Sequence, residues 1–140
     1  MQKITKNAPK VIALYAPCRG AGKSTAARYL SDVLDAEVIP FAKELSEMVN
    51  RLLICRFNLP VLQRSKDTSL PPPMEKVTKR DFMVAIGQAA RSVYPDIWVD
   101  LTRRNIQAAL IGRFTQGPRS VVVDDLRMPN EYAMLREMGA

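Results

Sequence analysis

The sequence predicts an α/β fold built on a parallel β-sheet. Two observations carry this prediction: short runs of strand-forming residues alternate with segments of helical periodicity, and a glycine-rich turn joins the first strand to the first helix. The chain has 140 residues, of which 47% are hydrophobic and 25% are charged. This size and composition are typical of one globular domain with a buried core, so we expect a single domain.

The first half of the chain predicts two strands and two helices. Residues 11–16, "VIALYA", form an apolar run without alternation, which indicates a strand buried on both faces. A helix follows and ends at the turn offered by Asp35 and Ala36, after which residues 37–41, "EVIPF", predict a second short strand. The next segment with helical periodicity ends near Phe57. Its apolar positions recur at three-to-four spacing: Leu45, Met48, Val49, Leu52 and Leu53.

A segment of different composition follows this helix. Residues 58–79 contain Pro60, three consecutive prolines at 71–73 and many polar side chains, which exclude a regular helix or a central strand. Loops of this length inside a compact domain are usually lids, binding segments or plain flexible connections. We therefore expect a flexible loop on the substrate side of the protein.

The remainder of the chain predicts three helices and one strand. Helical spacing resumes after the loop until Pro95 interrupts it, and Asp96 is a suitable cap for a helix over residues 97–111. Residues 120–125, "SVVVDD", predict a third strand, and a last helix covers residues 130–138. Strands separated by helices in this way indicate parallel pairing.

Composition excludes several classes of function. The chain has no histidine, and Cys18 and Cys55 lack the spacing of metal ligands, which argues against histidine-based acid–base catalysis and the usual zinc sites. It contains neither an apolar run of about 18 residues nor the apolar core of a signal peptide, so we expect an intracellular protein with no membrane partner. The net charge of +7 favours an anionic partner, either a phosphorylated small molecule or nucleic acid.

The strongest motif is the turn after the first strand. It follows the pattern of a phosphate-binding loop, except that Pro17 replaces the first glycine at the turn out of the strand. Glycines allow the backbone to approach a phosphate, Lys23 reaches the β- and γ-phosphates of a nucleotide, and Ser24 can bind Mg²⁺. The predicted nucleotide-binding residues are Gly20, Ala21, Gly22, Lys23, Ser24 and Thr25.

Acidic residues at the end of the third strand supply the other half of a magnesium site. A carboxylate at the end of a strand beside the loop can hold the ion directly or through water. Asp124 is the better candidate because it directly follows the apolar run, whereas Asp125 points elsewhere in the turn. The two aspartates can also be read as a simple cap of the following turn.

Several segments together resemble a known family. The loop "GAGKST", the segments "FAKELSEM" and "RDFMVAIGQAARSVYPDIWVDLTRR", and the end "VVVDDLRMPNEYAMLREMGA" are similar to the deoxynucleoside monophosphate kinases of bacteriophages. The resemblance covers most of the chain. It implies a P-loop NTPase-type, three-layer α/β/α fold related to adenylate kinase. It also implies transfer of the γ-phosphoryl group of ATP to a deoxynucleoside monophosphate with Mg²⁺, in the cytoplasm of the host cell.

Arginines are the expected partners of the two anionic substrates. The guanidinium group grips phosphate oxygens in a bidentate fork, and the candidates are Arg80, Arg91 and Arg127. Arg91 stands at the family's arginine position after "IGQ", and the resemblance implies that it contacts the monophosphate. With Lys23 and Arg127, it completes the set of residues that we expect to act on the transferring group.

The base pocket is less well determined by the sequence. Phe41 and Trp98 could stack on a base and Gln88 could read its edge, although such aromatic side chains are more often core residues. Many relatives carry a threonine followed by an acidic residue after the glycine, whereas Gln88 and Ala89 follow Gly87 here. The sequence therefore leaves the accepted bases open, together with the oligomeric state.

Two alternative functions and one structural expectation remain. A P-loop kinase of another small phosphorylated metabolite shares the loop but does not explain "IGQAARSVYPDIW", and an ATP-dependent nucleic-acid-binding module would explain the charge. The family's layout implies further strands after the last helix and a central position for the loop-bearing strand. We therefore expect a domain that lacks its C-terminal strands and whose apolar edge makes it prone to aggregation or dependent on a partner. We also expect it to bind nucleotide without efficient turnover.

Overall fold

The computed structural model describes residues 8–18, 20–57, 66–67, 69–70 and 72–140. These residues form three strands and five helices, which confirms the predicted α/β class. In chain order the elements are β1 (Val11–Ala13), α1 (Lys23–Leu34), β2 (Glu37–Val38), α2 (Lys43–Phe57), α3 (Lys79–Val93), α4 (Ile97–Ile111), β3 (Val121–Val123) and α5 (Pro129–Glu137).

The three strands form a parallel sheet in the order β1-β3-β2. In the register of β1 with β3, Val11 lies opposite Val121 and Ala13 opposite Val123. The strand that leads into the glycine-rich loop therefore lies at one edge of the described sheet, which is the exposed apolar edge that the sequence predicted for it. Because β1 and β3 are parallel and in register, their carboxyl ends lie side by side.

Both faces of the sheet are covered by helices. On one face, the β1 and β3 residues pack with Ile106 of α4 and with Met134 and Leu135 of α5. On the other face, Val122 packs with Ala27 of α1. Strand side chains alternate between the two faces, so an all-apolar strand such as β3 is buried on both.

Each strand is shorter than predicted, and the reasons lie at the strand ends. β1 leaves the sheet after Leu14 N donates to Val123 O at 2.7 Å. β2 ends after Ile39 N donates to Val122 O at 2.9 Å, because Pro40 follows and has no N–H to continue the ladder. At the end of β3, the side chain of Asp125 accepts a hydrogen bond from Phe41 N at 2.7 Å.

The chain divides into two compact units, whereas the sequence predicted a single domain. The first consists of the chain up to Phe41 together with the chain from Val99 onward, and it holds the sheet. The second is Ala42–Trp98, in which α2 and α3 pack against each other. In the described part of the chain, no helix is both long enough and apolar enough to cross a membrane.

The predicted loop over residues 58–79 is described only in part. Residues 58–65, 68 and 71 lie outside the described residues. In the remainder, Ser69 and Thr78 form an isolated antiparallel bridge, and Leu70 is buried. The loop ends at Thr78, since Lys79 is already the first residue of α3.

Candidate functional site

The loop between β1 and α1 adopts a backbone conformation that depends on glycine. Gly20 has φ 78° and Gly22 has φ 79°, both in the left-handed region that other residues rarely enter. A Cβ atom added to either glycine would meet no heavy atom within 4 Å. The requirement for glycine is therefore conformational, and the space in front of these two residues is open.

The start of α1 leaves donors available beside this loop. The helix begins at Lys23 after the N-cap Gly22, which has no side chain to cap it. The first intrahelical hydrogen bond runs from Ala26 N to Gly22 O at 2.9 Å. The N–H groups of the first turn thus lack intrahelical acceptors, and the helix dipole adds partial positive charge at this end.

A cavity of about 280 Å³ lies at the same place. Lys23, Arg127 and the thiol-bearing Cys18 line it, together with residues 15–17 and Leu126. Two cationic side chains and a helix N-terminus around one cavity favour an anionic ligand. Ala21, Ser24 and Thr25 of the predicted loop are exposed next to it.

The two aspartates after β3 have different surroundings. Asp125 is engaged by the backbone of Phe41, as described above. Asp124 is half-buried, and we find no hydrogen-bond partner for its carboxylate among the described residues. Since β3 adjoins β1, Asp124 follows the strand next to the one that leads into the loop.

A hydrogen bond to Glu131 fixes the backbone of Arg127, while the side chain of Arg127 is exposed. The carboxylate of Glu131 accepts hydrogen bonds from Arg127 N at 2.8 Å and from Met128 N at 2.9 Å. Glu131 is buried at the third position of α5. This contact fixes the turn that presents Arg127 to the cavity. The sequence contained a signal for it, because an acidic residue three positions into a helix is typical of a capping box.

The other predicted site residues belong to the second unit. Arg91 lies half-buried and Gln88 exposed on α3. Arg80, at the start of the same helix, donates from Nε to Asp67 at 2.5 Å and from Nη2 at 3.1 Å. These hydrogen bonds raise the pKa of Arg80 and occupy its guanidinium fork. A phosphate that used the Nε–Nη2 edge of Arg80 would have to displace Asp67.

The two aromatic residues predicted for a base pocket are buried. Phe41 is 4% exposed and belongs to the core of the first unit. Trp98 is 3% exposed, and its indole Nε1 donates to Gly87 O at 3.3 Å in the second unit. Their burial counts against stacking on a base, because neither ring offers a free face to a ligand.

Some structural features of both units were not predicted from the sequence. Tyr15 and Cys18 line the cationic cavity, and Tyr15 and Tyr132 line a second cavity beside it. In the second unit, Lys79 is 4% exposed and donates from Nζ to Ser46 Oγ at 2.9 Å. No pattern in the sequence distinguished these residues from ordinary surface positions.

Comparison of the chain with protein-family models, curated proteins and solved structures finds no match. The residues and the geometry of the loop, the start of α1 and the cationic cavity are therefore the basis for assigning a function.

Proposed function

We propose that the protein is a cytoplasmic deoxynucleoside monophosphate kinase that transfers the γ-phosphoryl group of ATP to a dNMP, giving dNDP and ADP. The observation that carries this proposal is the glycine-dependent loop at the uncapped start of α1, beside the strand end that bears Asp124. Backbone donors, a helix dipole and a lysine at one point are suited to the phosphates of a nucleotide. The choice of a deoxynucleoside monophosphate as the phosphoryl acceptor is based on the resemblance to the phage kinases.

The residues at this site fit a magnesium-dependent phosphoryl transfer. Among the described residues there is no group of three or more metal-binding side chains. Mg²⁺ in such enzymes does not need a group of three protein ligands, because it keeps several waters and binds one or two protein oxygens plus the substrate phosphates. Ser24 and Asp124 would hold the ion, which neutralises charge on the phosphate oxygens. Lys23 and Arg127 would stabilise the charge that develops on the transferring group.

The acceptor side of the proposal relies on α3. Arg91 would bind the monophosphate through a bidentate fork, and the exposed Gln88 could contact the base. Arg80 is a weaker candidate because Asp67 already accepts hydrogen bonds from its Nε and Nη2. We assign no stacking role to Phe41 or Trp98, since both are buried.

The direct test is ATP turnover in a coupled assay with each deoxy- and ribonucleoside monophosphate. We expect ADP formation that depends on Mg²⁺ and on at least one dNMP. Turnover only with another phosphorylated metabolite would contradict the proposed acceptor and favour the alternative kinase.

A second test asks whether nucleotide binds at the loop, independently of turnover. Cys18 lines the cationic cavity and is exposed, while Cys55 is also exposed, lies on α2 and serves as an internal control. We expect Mg·ATP to slow alkylation of Cys18, measured by mass spectrometry, and to leave Cys55 unchanged. Equal rates at Cys18 with and without saturating ATP would contradict the assignment of the loop.

A further inference from the structure

The capping boxes of α3 and α5 differ in how far their carboxylates reach. At α3, the Asp81 carboxylate accepts hydrogen bonds from Thr78 N at 2.7 Å and from Thr78 Oγ1 at 2.8 Å, and both donors belong to the N-cap residue. At α5, Oε2 of Glu131 accepts one hydrogen bond from the N-cap residue Met128 and a second from Arg127 N, one residue further back. A capping box needs only the first of these two bonds.

Burial also separates the two carboxylates. Asp81 is exposed, whereas Glu131 is 4% exposed. Removing a carboxylate from water is unfavourable unless hydrogen bonds replace the lost hydration, so an exposed aspartate is the simpler way to begin a helix. The start of α5 alone therefore does not account for a buried glutamate whose hydrogen bonds extend beyond the N-cap residue.

The additional hydrogen bond falls on a residue of the cationic cavity. Arg127 lines this cavity with Lys23, and its side chain is exposed. The preceding residue, Leu126, is buried in the core, so the backbone of Arg127 is held on one side by the core and on the other by Glu131. A long exposed side chain samples many rotamers, and a fixed backbone limits the space that its guanidinium group can reach.

We propose that Glu131 is a positioning residue for phosphoryl transfer, because its second hydrogen bond holds Arg127 where the guanidinium group can act on the transferring phosphate. The inference rests on the proposed function and adds to it a residue that acts through Arg127. A catalytic group displaced by about 1 Å can lower the rate by as much as about 10²-fold, so the loss of this one hydrogen bond should be visible in kcat.

Glu131→Asp tests the bond to Arg127 separately from the start of the helix. The shorter side chain gives α5 the same kind of box as α3, in which an aspartate reaches the N-cap residue. In the coupled assay we expect kcat to fall about tenfold, while KM for ATP and for the dNMP stays within about twofold. The midpoint of urea unfolding should stay close to that of the native protein. Glu131→Gln keeps an acceptor oxygen on a side chain of the original length, so its kcat should stay within about threefold of the native value.

Two comparisons distinguish positioning from a purely structural role. In an Arg127→Ala background, Glu131→Asp should change kcat by no more than about twofold, because the group that it positions is absent. Asp81→Glu, the reverse exchange at the exposed box of α3, is the matched control and should leave kcat unchanged.

The proposal fails while the proposed function stands if the unmodified protein turns over a dNMP and Glu131→Asp keeps its full kcat. It also fails if Glu131→Asp loses as much activity without Arg127 as with it, or if Glu131→Gln is as impaired as Glu131→Asp. A large fall in the urea midpoint of Glu131→Asp would mean that Glu131 serves the fold, which also contradicts positioning. If the unmodified protein turns over no dNMP, the proposed function and this inference both fail.

Discussion

Two lysines of this chain show how surroundings separate different roles for the same residue type. Lys23 is half-buried in a cavity with Arg127 at the start of α1. Lys79 is almost fully buried, and its hydrogen-bond partner is the hydroxyl of Ser46. The first arrangement suits an anionic ligand. The second buries a positive charge and lowers the stability of the fold.

Lys23→Ala should abolish phosphoryl transfer while the fold remains intact. The ammonium group supplies charge stabilisation at the transferring phosphate, and its loss should reduce kcat by more than about two orders of magnitude. Turnover is measured in the coupled assay, and folding by circular dichroism. Lys10→Ala, an exposed lysine just before β1, is the control and should keep full activity. More than a tenth of the normal rate in Lys23→Ala would rule out this role.

Arg91→Lys should impair use of the monophosphate far more than binding of ATP. A lysine keeps the charge but cannot reproduce the planar, bidentate fork, so we expect KM for the dNMP to rise about tenfold or more. The Kd for ATP should stay within about twofold. Arg104→Lys, at an exposed position of α4, should change neither value. Equal losses for both nucleotides would argue against a monophosphate clamp at Arg91.

Lys79→Met should stabilise the protein near neutral pH. Burial, reinforced by the charge of Lys66, lowers the pKa of Lys79 in the folded state. Below that pKa, both the folded and the unfolded chain are protonated and the fold carries the full cost of the buried charge. We expect the free energy of unfolding to rise by about 1 kcal/mol, the lower end for replacing buried ionic groups with apolar ones.

The pH dependence distinguishes this explanation from better packing by methionine. As pH rises from the folded-state pKa of Lys79 towards the ordinary lysine value of about 10.4, the native protein loses this proton and its own stability increases. The advantage of Lys79→Met should therefore shrink in alkaline solution. Urea unfolding at pH 7 and above pH 9 measures the difference. An advantage that does not change with pH would mean that charge burial is not its cause.

At the scale of elements, helices were easier to predict than strand ends. α4 covers residues 97–111 as predicted. Its start could be predicted because Pro95, a local feature of the sequence, interrupts the preceding helix. Pro40 ends β2, and at the end of β3 the side chain of Asp125 accepts a hydrogen bond from Phe41 N, a contact between residues far apart in the chain. The glycine-rich loop was predictable since its pattern is contiguous. The cavity at Tyr132 depends on tertiary neighbours, as does the burial of the predicted aromatic residues.

The start of α3 offers a test of local stabilisation. The side chain of Thr78 accepts a hydrogen bond from Asp81 N at 3.2 Å, and Asp81 accepts one from Thr78 N at 2.7 Å. These contacts form a capping box, and the hydrogen bonds that the Asp81 carboxylate accepts from the backbone and the hydroxyl of Thr78 lower its pKa. Thr78→Ala should cost about 1 kcal/mol in urea unfolding. Ser92→Ala, an exposed position of the same helix, should stay within about 0.5 kcal/mol of the native protein; equal losses would mean that the cap contributes nothing.

At the scale of the whole molecule, the net charge of +7 is the property that least distinguishes the candidate functions. A mononucleotide kinase and a nucleic-acid-binding module both gain from a basic surface, because their ligands are anions. What separates them is how the charge acts. A nucleic-acid module neutralises many phosphates at once, whereas the loop and Lys23 form a site for a few.

Binding of a single-stranded oligonucleotide at several salt concentrations should therefore separate the two functions. If the protein is a mononucleotide kinase, we expect only nonspecific binding, with Kd weaker than about 10⁻⁶ M near physiological salt, and no competition by Mg·ATP for that binding. Fluorescence anisotropy of a labelled oligonucleotide provides the measurement, and Lys23→Ala should leave it nearly unchanged because one lysine contributes little to a diffuse basic surface. Tight binding near physiological salt that depends on Lys23 would instead favour the ATP-dependent nucleic-acid module. In that case the phosphate-binding loop would serve a longer ligand than a mononucleotide.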